Sequence, residues 1–77
     1  MNKKDIYNNY ISRLEKALHE DNFDDIDYIL EFLYTTWINE KYLSEIDDIL
    51  RESTLYAELK EKEYKDEALR LIEEFKK

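Results

Sequence analysis

The sequence predicts an all-α fold, a compact small bundle of four helices in a single domain over residues 1–77. Glycine and proline are both absent, so β-hairpin turns lose their preferred residues, whereas helices joined by short polar turns lose nothing. Apolar side chains recur at +3 and +4 along most of the chain, which is the helical period. With 77 residues and no cysteine, the chain has one small core that no disulfide or thiolate metal site stabilises.

The first predicted helix covers about 3–19, because apolar residues repeat at +4, +3 and +4 along one side of it. A polar turn follows, in which Asp21 or Asn22 is expected to cap the next helix. Since no glycine is on offer, any residue of positive φ must be an Asn, an Asp or another charged residue. The apolar stripe of this helix comprises Tyr7, Ile11, Leu14 and Leu18.

The second predicted helix, over about 23–37, is apolar on two sides. Five side chains at +3 and +4 spacing form one stripe, and Tyr28 and Phe32 fall roughly opposite to it at about 100° per residue. Such a helix either packs on both sides at the centre of a bundle or shows an aromatic patch to a partner. The pattern leaves both interpretations open. The stripe comprises Phe23, Ile26, Leu30, Leu33 and Trp37.

Two further helices are predicted after a turn at 38–41, where Asn39 is the expected residue of left-handed conformation. The third covers about 42–52. A break is expected at Ser53 and Thr54, since either hydroxyl is a good cap for a following helix. The fourth covers about 54–76, either as one long helix with a kink or split near 61–64, where charged helix formers contain no breaker.

The net charge of −8 is concentrated in the middle of the chain. Residues 17–58 carry twelve carboxylates against two basic side chains, Lys41 and Arg51. An acidic surface repels nucleic acid and anionic membranes and attracts basic protein surfaces. We therefore expect no direct nucleic-acid binding and no membrane association. The absence of an apolar leader and of any apolar run near 20 residues predicts a cytoplasmic protein.

No catalytic, cofactor-binding or metal site is predicted, and the chain is not expected to be an enzyme. The single histidine, His19, stands at the end of the first helix, where a cation complements the helix dipole. Adjacent carboxylates such as Asp24 and Asp25 lack the glycine and the ligand spacing of an EF-hand loop. A glycine-rich phosphate loop cannot form without glycine.

The expected function is protein binding through acids set around aromatic side chains on the second and third helices, because aromatics supply hot spots and charge supplies selectivity. We expect an inhibitor or antagonist whose acidic face mimics nucleic acid and occupies a basic, nucleic-acid-binding surface of a larger protein. Being short, acidic, tyrosine-rich and helical, the chain resembles by class small inhibitors and immunity proteins of phages and bacteria. The alternative is a structural module that self-associates, for example as a homodimer, through Tyr28 and Phe32 or the last helix. The expected interface residues are Asp24, Asp25, Asp27, Tyr28, Glu31, Phe32, Glu45, Asp48 and Glu52.

Overall fold

A computed structural model describes the backbone of residues 3–36 and 43–76, and the side chains of residues 7–35 and 46–76. These ranges hold four helices and no strand, which confirms the all-α prediction. Trp37, the predicted turn at 38–41 with Asn39, and the side chain of Glu45 lie outside the described residues. The helices are α1 (Lys3–Glu20), α2 (Phe23–Thr36), α3 (Leu43–Leu59) and α4 (Lys62–Lys76).

Each helix packs against the next one along the chain, and α4 returns to pack against α1. Two-residue connections join α1 to α2 and α3 to α4, and such short links place consecutive helices antiparallel. The arrangement is therefore a closed ring of four helices around one core. α2 packs against α1 and α3, so it buries one side and leaves the other to solvent.

The core is built from the stripes that the periodicity predicts. Ile11, Leu14 and Leu18 of α1 are fully buried, and Ile26 and Leu33 of α2 face them. Each such side chain contributes roughly 1.5–3 kcal/mol of transfer free energy to folding. The other buried aliphatic side chains are Ala17, Ile29, Leu30, Ile46, Ile49, Leu50, Ala68 and Ile72.

The turn between α1 and α2 uses a charged residue where a glycine is the usual choice. Asp21 has a φ of 54°, and two backbone bonds close the end of α1: the amide of Asp21 donates to Leu18, and that of Asn22 to Ala17 (3.3 and 3.0 Å). This is the Schellman pattern of a helix C-terminus. The Asn22 side chain then accepts the amide hydrogen of Asp25 at 3.2 Å, so Asn22 is the N-cap of α2.

The predicted break at Ser53 and Thr54 is wrong, because α3 runs through both residues to Leu59. Ser53 is fully buried against the core, and the Thr54 hydroxyl donates to the Leu50 carbonyl of its own helix at 2.8 Å. A hydroxyl that bonds back to its own helix, as that of Thr54 does, sits in a helix interior instead of capping a new helix. The chain turns at Lys60, which has a φ of 57° and donates its amide hydrogen to Tyr56 at 2.7 Å. The break thus lies beside the 61–64 split that the sequence left open.

Candidate protein-binding surface

The solvent side of α2 carries a row of carboxylates beside two exposed tyrosines. We call this surface the outer face of α2. Its members are spaced by one, three or four residues, which keeps them on one side of the helix. That side is opposite the buried positions of α2. Over about 15 Å of helix, the outer face of α2 comprises Asp24, Asp27, Tyr28, Glu31 and Tyr34, all of them exposed.

The three carboxylates of the outer face carry uncompensated charge. Asp24, Asp27 and Glu31 form no ion pair or side-chain hydrogen bond with any residue in the described ranges. Their spacing of three and four residues puts the charges about 5 and 6 Å apart along the helix axis. The result is a short, straight row of negative charge on a helix whose opposite side is anchored in the core.

Both tyrosines of the outer face are held by neighbouring helices. Tyr28 is 57% exposed, and the guanidinium carbon of Arg13 in α1 lies 5.1 Å from its ring centre, a cation–π distance. Tyr34 is 52% exposed, and its hydroxyl lies 3.4 Å from Oγ1 of Thr54 in α3. The two rings are therefore oriented before any partner arrives.

Asp25 belongs to the contact between α1 and α2. Its carboxylate accepts two hydrogen bonds from Arg13, from Nε at 3.3 Å and Nη2 at 2.6 Å. These bonds to Asp25 raise the pKa of Arg13 above its usual value. A carboxylate engaged at both oxygens has little left to offer a partner, so Asp25 holds Arg13 beneath Tyr28 and is not part of the uncompensated row.

Phe32 also faces its own chain. Its ring stacks on that of Tyr10 in α1 with 4.1 Å between the ring centres and 18° between the planes. Both rings are half-buried and pack against the core. The two aromatics that the helical wheel places opposite the core stripe therefore differ: Phe32 seals the seam between α1 and α2, and Tyr28 faces solvent.

The acids of α3 do not join those of α2 in one surface. Asp48 lines a groove with Leu71 and Phe75 of α4, whereas Thr54, which contacts α2, lies about 120° away around the helix. Arg51 of the same helix pairs with Asp48 at 3.5 Å and with Glu52 at 3.4 Å. Only 15% of the Glu52 side chain is exposed. The acids of the second and third helices, which the sequence predicts to form one surface, therefore lie on two different sides of the bundle.

A polar cluster at the turn end of the bundle is not predicted by any pattern in the sequence. The Tyr56 hydroxyl donates to Oδ1 of Asp21 at 2.5 Å, and Nζ of Lys65 donates to the same oxygen at 3.0 Å. The bond to Asp21 raises the pKa of Tyr56 to about 12. The hydrogen bonds from Tyr56 and then Lys65 lower the pKa of Asp21. Residues 35 and 44 positions apart carry no local signal that pairs them, so only the packed structure reveals this cluster.

Two structural features are missing from the described part of the chain. It contains no group of three or more His, Cys, Asp or Glu side chains that could hold a metal ion. None of its helices combines the length and apolar character needed to cross a bilayer. His19 lies exposed in the last turn of α1, as the sequence predicts. No family model matches the chain, and no curated protein or solved structure is significantly similar to it.

Proposed function

We propose that this protein is a non-enzymatic acidic binding module that uses the outer face of α2 to occupy a basic surface of a larger protein. In this role it acts as an inhibitor or antagonist, in the manner of phage- or plasmid-type anti-defence or immunity proteins. The proposal rests chiefly on one observation: three unpaired carboxylates and two oriented, half-exposed tyrosines share one side of a single helix.

The charge row suits a surface that binds the phosphates of nucleic acid. Asp24, Asp27 and Glu31 repeat a negative charge every few ångström along a rigid rod, as a nucleic-acid strand does. A lysine- or arginine-lined groove attracts such a row and gains speed of association from the long-range field. The net charge of −8 adds to this field. The partner's normal ligand and this protein would then compete for one groove.

The tyrosines supply the contact area that charge alone lacks. Tyrosine is enriched among interface hot spots because it combines a large apolar ring with a hydroxyl. Tyr28 is already held by Arg13, and Tyr34 by Thr54, so little side-chain freedom is lost on binding. Ile26, Ile29 and Leu33 fix the helix from its core side. The surface is thus preorganised.

Self-association through Phe32 or the last helix is less well supported. Phe32 is stacked on Tyr10, and Ala68 and Phe75 of α4 are core residues. Those side chains already have intramolecular partners, and a dimer built on them would have to open the bundle. A second copy would also bring a further charge of −8 to the interface.

The test is affinity capture of the partner from the native host, followed by measurements on the purified pair. We expect one dominant protein whose dissociation constant rises steeply with salt. Salt screens the attraction between exposed charges beyond a Debye length, which is about 10 Å at 0.10 M and about 8 Å at 0.15 M. Single-stranded or duplex DNA or RNA should displace this protein from the partner. An affinity that does not change between low and high salt, and that nucleic acid leaves untouched, would reject the proposal.

A further inference from the structure

We infer that the outer face of α2 fits a groove that binds single-stranded nucleic acid through basic and aromatic side chains together. The inference rests on the function proposed above and narrows the class of partner within it. Its basis is the pair of exposed tyrosines, Tyr28 and Tyr34. A row of acids alone suits any basic surface, whereas flat rings set beside the charges suit a groove that has aromatic side chains as well.

Charges and rings follow one another along the outer face of α2. In chain order the exposed side chains are two carboxylates, a ring, a carboxylate and a ring, at Asp24, Asp27, Tyr28, Glu31 and Tyr34. At 1.5 Å per residue, each ring lies within about 5 Å of a carboxylate along the helix axis. A single strand of nucleic acid presents the same two elements, a charged backbone and flat bases beside it.

Both rings have an accessible face. The guanidinium carbon of Arg13 lies 5.1 Å from the ring centre of Tyr28 and covers one face of that ring. Tyr28 is still 57% exposed, so its other face is open to solvent. Tyr34 contacts Thr54 through its hydroxyl at 3.4 Å and is 52% exposed. Each ring can therefore stack on an aromatic side chain of a partner, as an unpaired base does.

A DNA or RNA duplex presents a different pattern. Its bases are stacked on one another, so a protein reaches only their edges in the grooves. Its phosphates form two strands, one on each side of every groove, whereas the acidic row of α2 has a cation on its α1 side. That cation is Arg13, whose side chain is 49% exposed. The outer face of α2 is therefore closer in chemistry to one strand with accessible bases than to a duplex.

Defined nucleic acids test the inference by displacing this protein from the captured partner. The probes are oligothymidine, oligouridine and a DNA duplex, each about 20 nucleotides long, which exceeds a single-strand site of roughly 4–16 nucleotides. They are compared at equal phosphate concentration. We expect one of the two single strands to act at a concentration at least about tenfold below that of the duplex, and the more effective one distinguishes a DNA site from an RNA site. A duplex that displaces as well as both single strands would overturn the inference.

Two matched double variants separate the rings from their hydroxyls. Tyr28→Leu with Tyr34→Leu removes both rings and changes no charge, so binding should weaken at least about tenfold. Tyr28→Phe with Tyr34→Phe keeps both rings and should weaken binding by less than about threefold. Circular dichroism checks that each variant folds, and Tyr28→Leu alone replaces the first pair if that pair does not. Equal weakening by the two pairs, or none by the leucine pair, would overturn the inference.

Reversal of the acidic row distinguishes failure of this inference from failure of the proposed function. If lysine at Asp24, Asp27 and Glu31 abolishes binding but the leucine pair has no effect, the outer face of α2 binds a basic surface that is not a single-strand groove. That result overturns the inference and leaves the proposed function standing. If the row reversal leaves the affinity unchanged, the proposed function fails, and the inference fails with it.

Discussion

The hydroxyl of Tyr56 in α3 donates a 2.5 Å hydrogen bond to the carboxylate of Asp21, the first residue after α1. Lys65 of α4 reaches the same oxygen. The ring of Tyr56 also lies 5.5 Å from that of Phe23, the first residue of α2. Tyr56 therefore joins α3 to the turn after α1 and to the start of α2. Within residues 3–36 and 43–76, positive φ occurs at Asp21 and Lys60, one in each two-residue turn.

Removing the Tyr56 hydroxyl should loosen this end of the bundle. Tyr56→Phe keeps the buried ring and deletes a hydrogen bond to a charged but partly exposed acceptor, so we expect about 1 kcal/mol lower unfolding free energy. Urea unfolding followed by circular dichroism measures the loss. Tyr64→Phe is the matched control, since the Tyr64 hydroxyl has no hydrogen bond within the described residues. Equal effects of the two variants would contradict the role given to Asp21.

The same bond predicts a late-titrating tyrosine. The pKa of Tyr56 is raised from 10.0 to about 12, mainly by its bond to Asp21. Between pH 10 and about 12 the unfolded chain has lost a proton that the folded chain keeps. The stabilisation that this bond gives the folded state is therefore complete below pH 10 and is lost as pH rises toward 12. Tyrosinate absorbance should show a late step that corresponds to Tyr56, with a midpoint near pH 12. Tyr56→Phe should remove that step. An unchanged titration curve would be inconsistent with a short bond in solution.

Lys60 adopts a conformation that glycine adopts more readily. Its φ of 57° closes α3 in the left-handed region, where a side chain is unfavourable by roughly 1–2 kcal/mol. Lys60→Gly removes that strain at the expense of chain entropy and of a contact with the Phe23 ring at 4.8 Å. The net gain in unfolding free energy should be about 0.5 kcal/mol. Glu58→Gly, two residues earlier inside the helix, should instead destabilise by about 1 kcal/mol. A loss of stability in both variants would contradict the assigned turn.

The buried hydroxyl of Ser53 should be dispensable for folding. It is fully buried, and its Oγ has no hydrogen-bond partner among the described residues. Ser53→Ala removes an unsatisfied group and improves helix propensity, so stability should rise by about 1 kcal/mol. Ser12→Ala, at an exposed position in α1, isolates the propensity effect. If thermal melts show the same gain for both, the buried hydroxyl has a partner after all.

The helices and most of the core follow from local pattern, because the helical period is a property of neighbouring residues. What the pattern could not supply is the pairing between helices. The pattern places Phe32 and Tyr28 on the same side of α2. The packing of α1 against α2 shows that Tyr10 covers Phe32 and not Tyr28. The pattern predicts a cap at Thr54, because a threonine that caps a helix and one that bonds back to Leu50 inside a helix look the same in the sequence. The pattern also groups Asp48 with the acids of α2. The rotation of α3 about its axis, which separates them, is set by packing and cannot be read from the sequence.

The central claim is that the outer face of α2 binds a basic surface, and one comparison of affinities tests it most directly. The triple variant Asp24→Lys, Asp27→Lys, Glu31→Lys reverses the uncompensated row. The control Glu58→Lys, Glu61→Lys, Glu73→Lys makes the same charge change at exposed positions of α3, the turn and α4.

Isothermal titration of each variant against the captured partner gives the two dissociation constants, with helicity checked by circular dichroism. We expect the row reversal to weaken binding at least about a hundredfold and the control by less than about tenfold. Equal weakening by both triples, or no weakening by the row reversal, would contradict the claim.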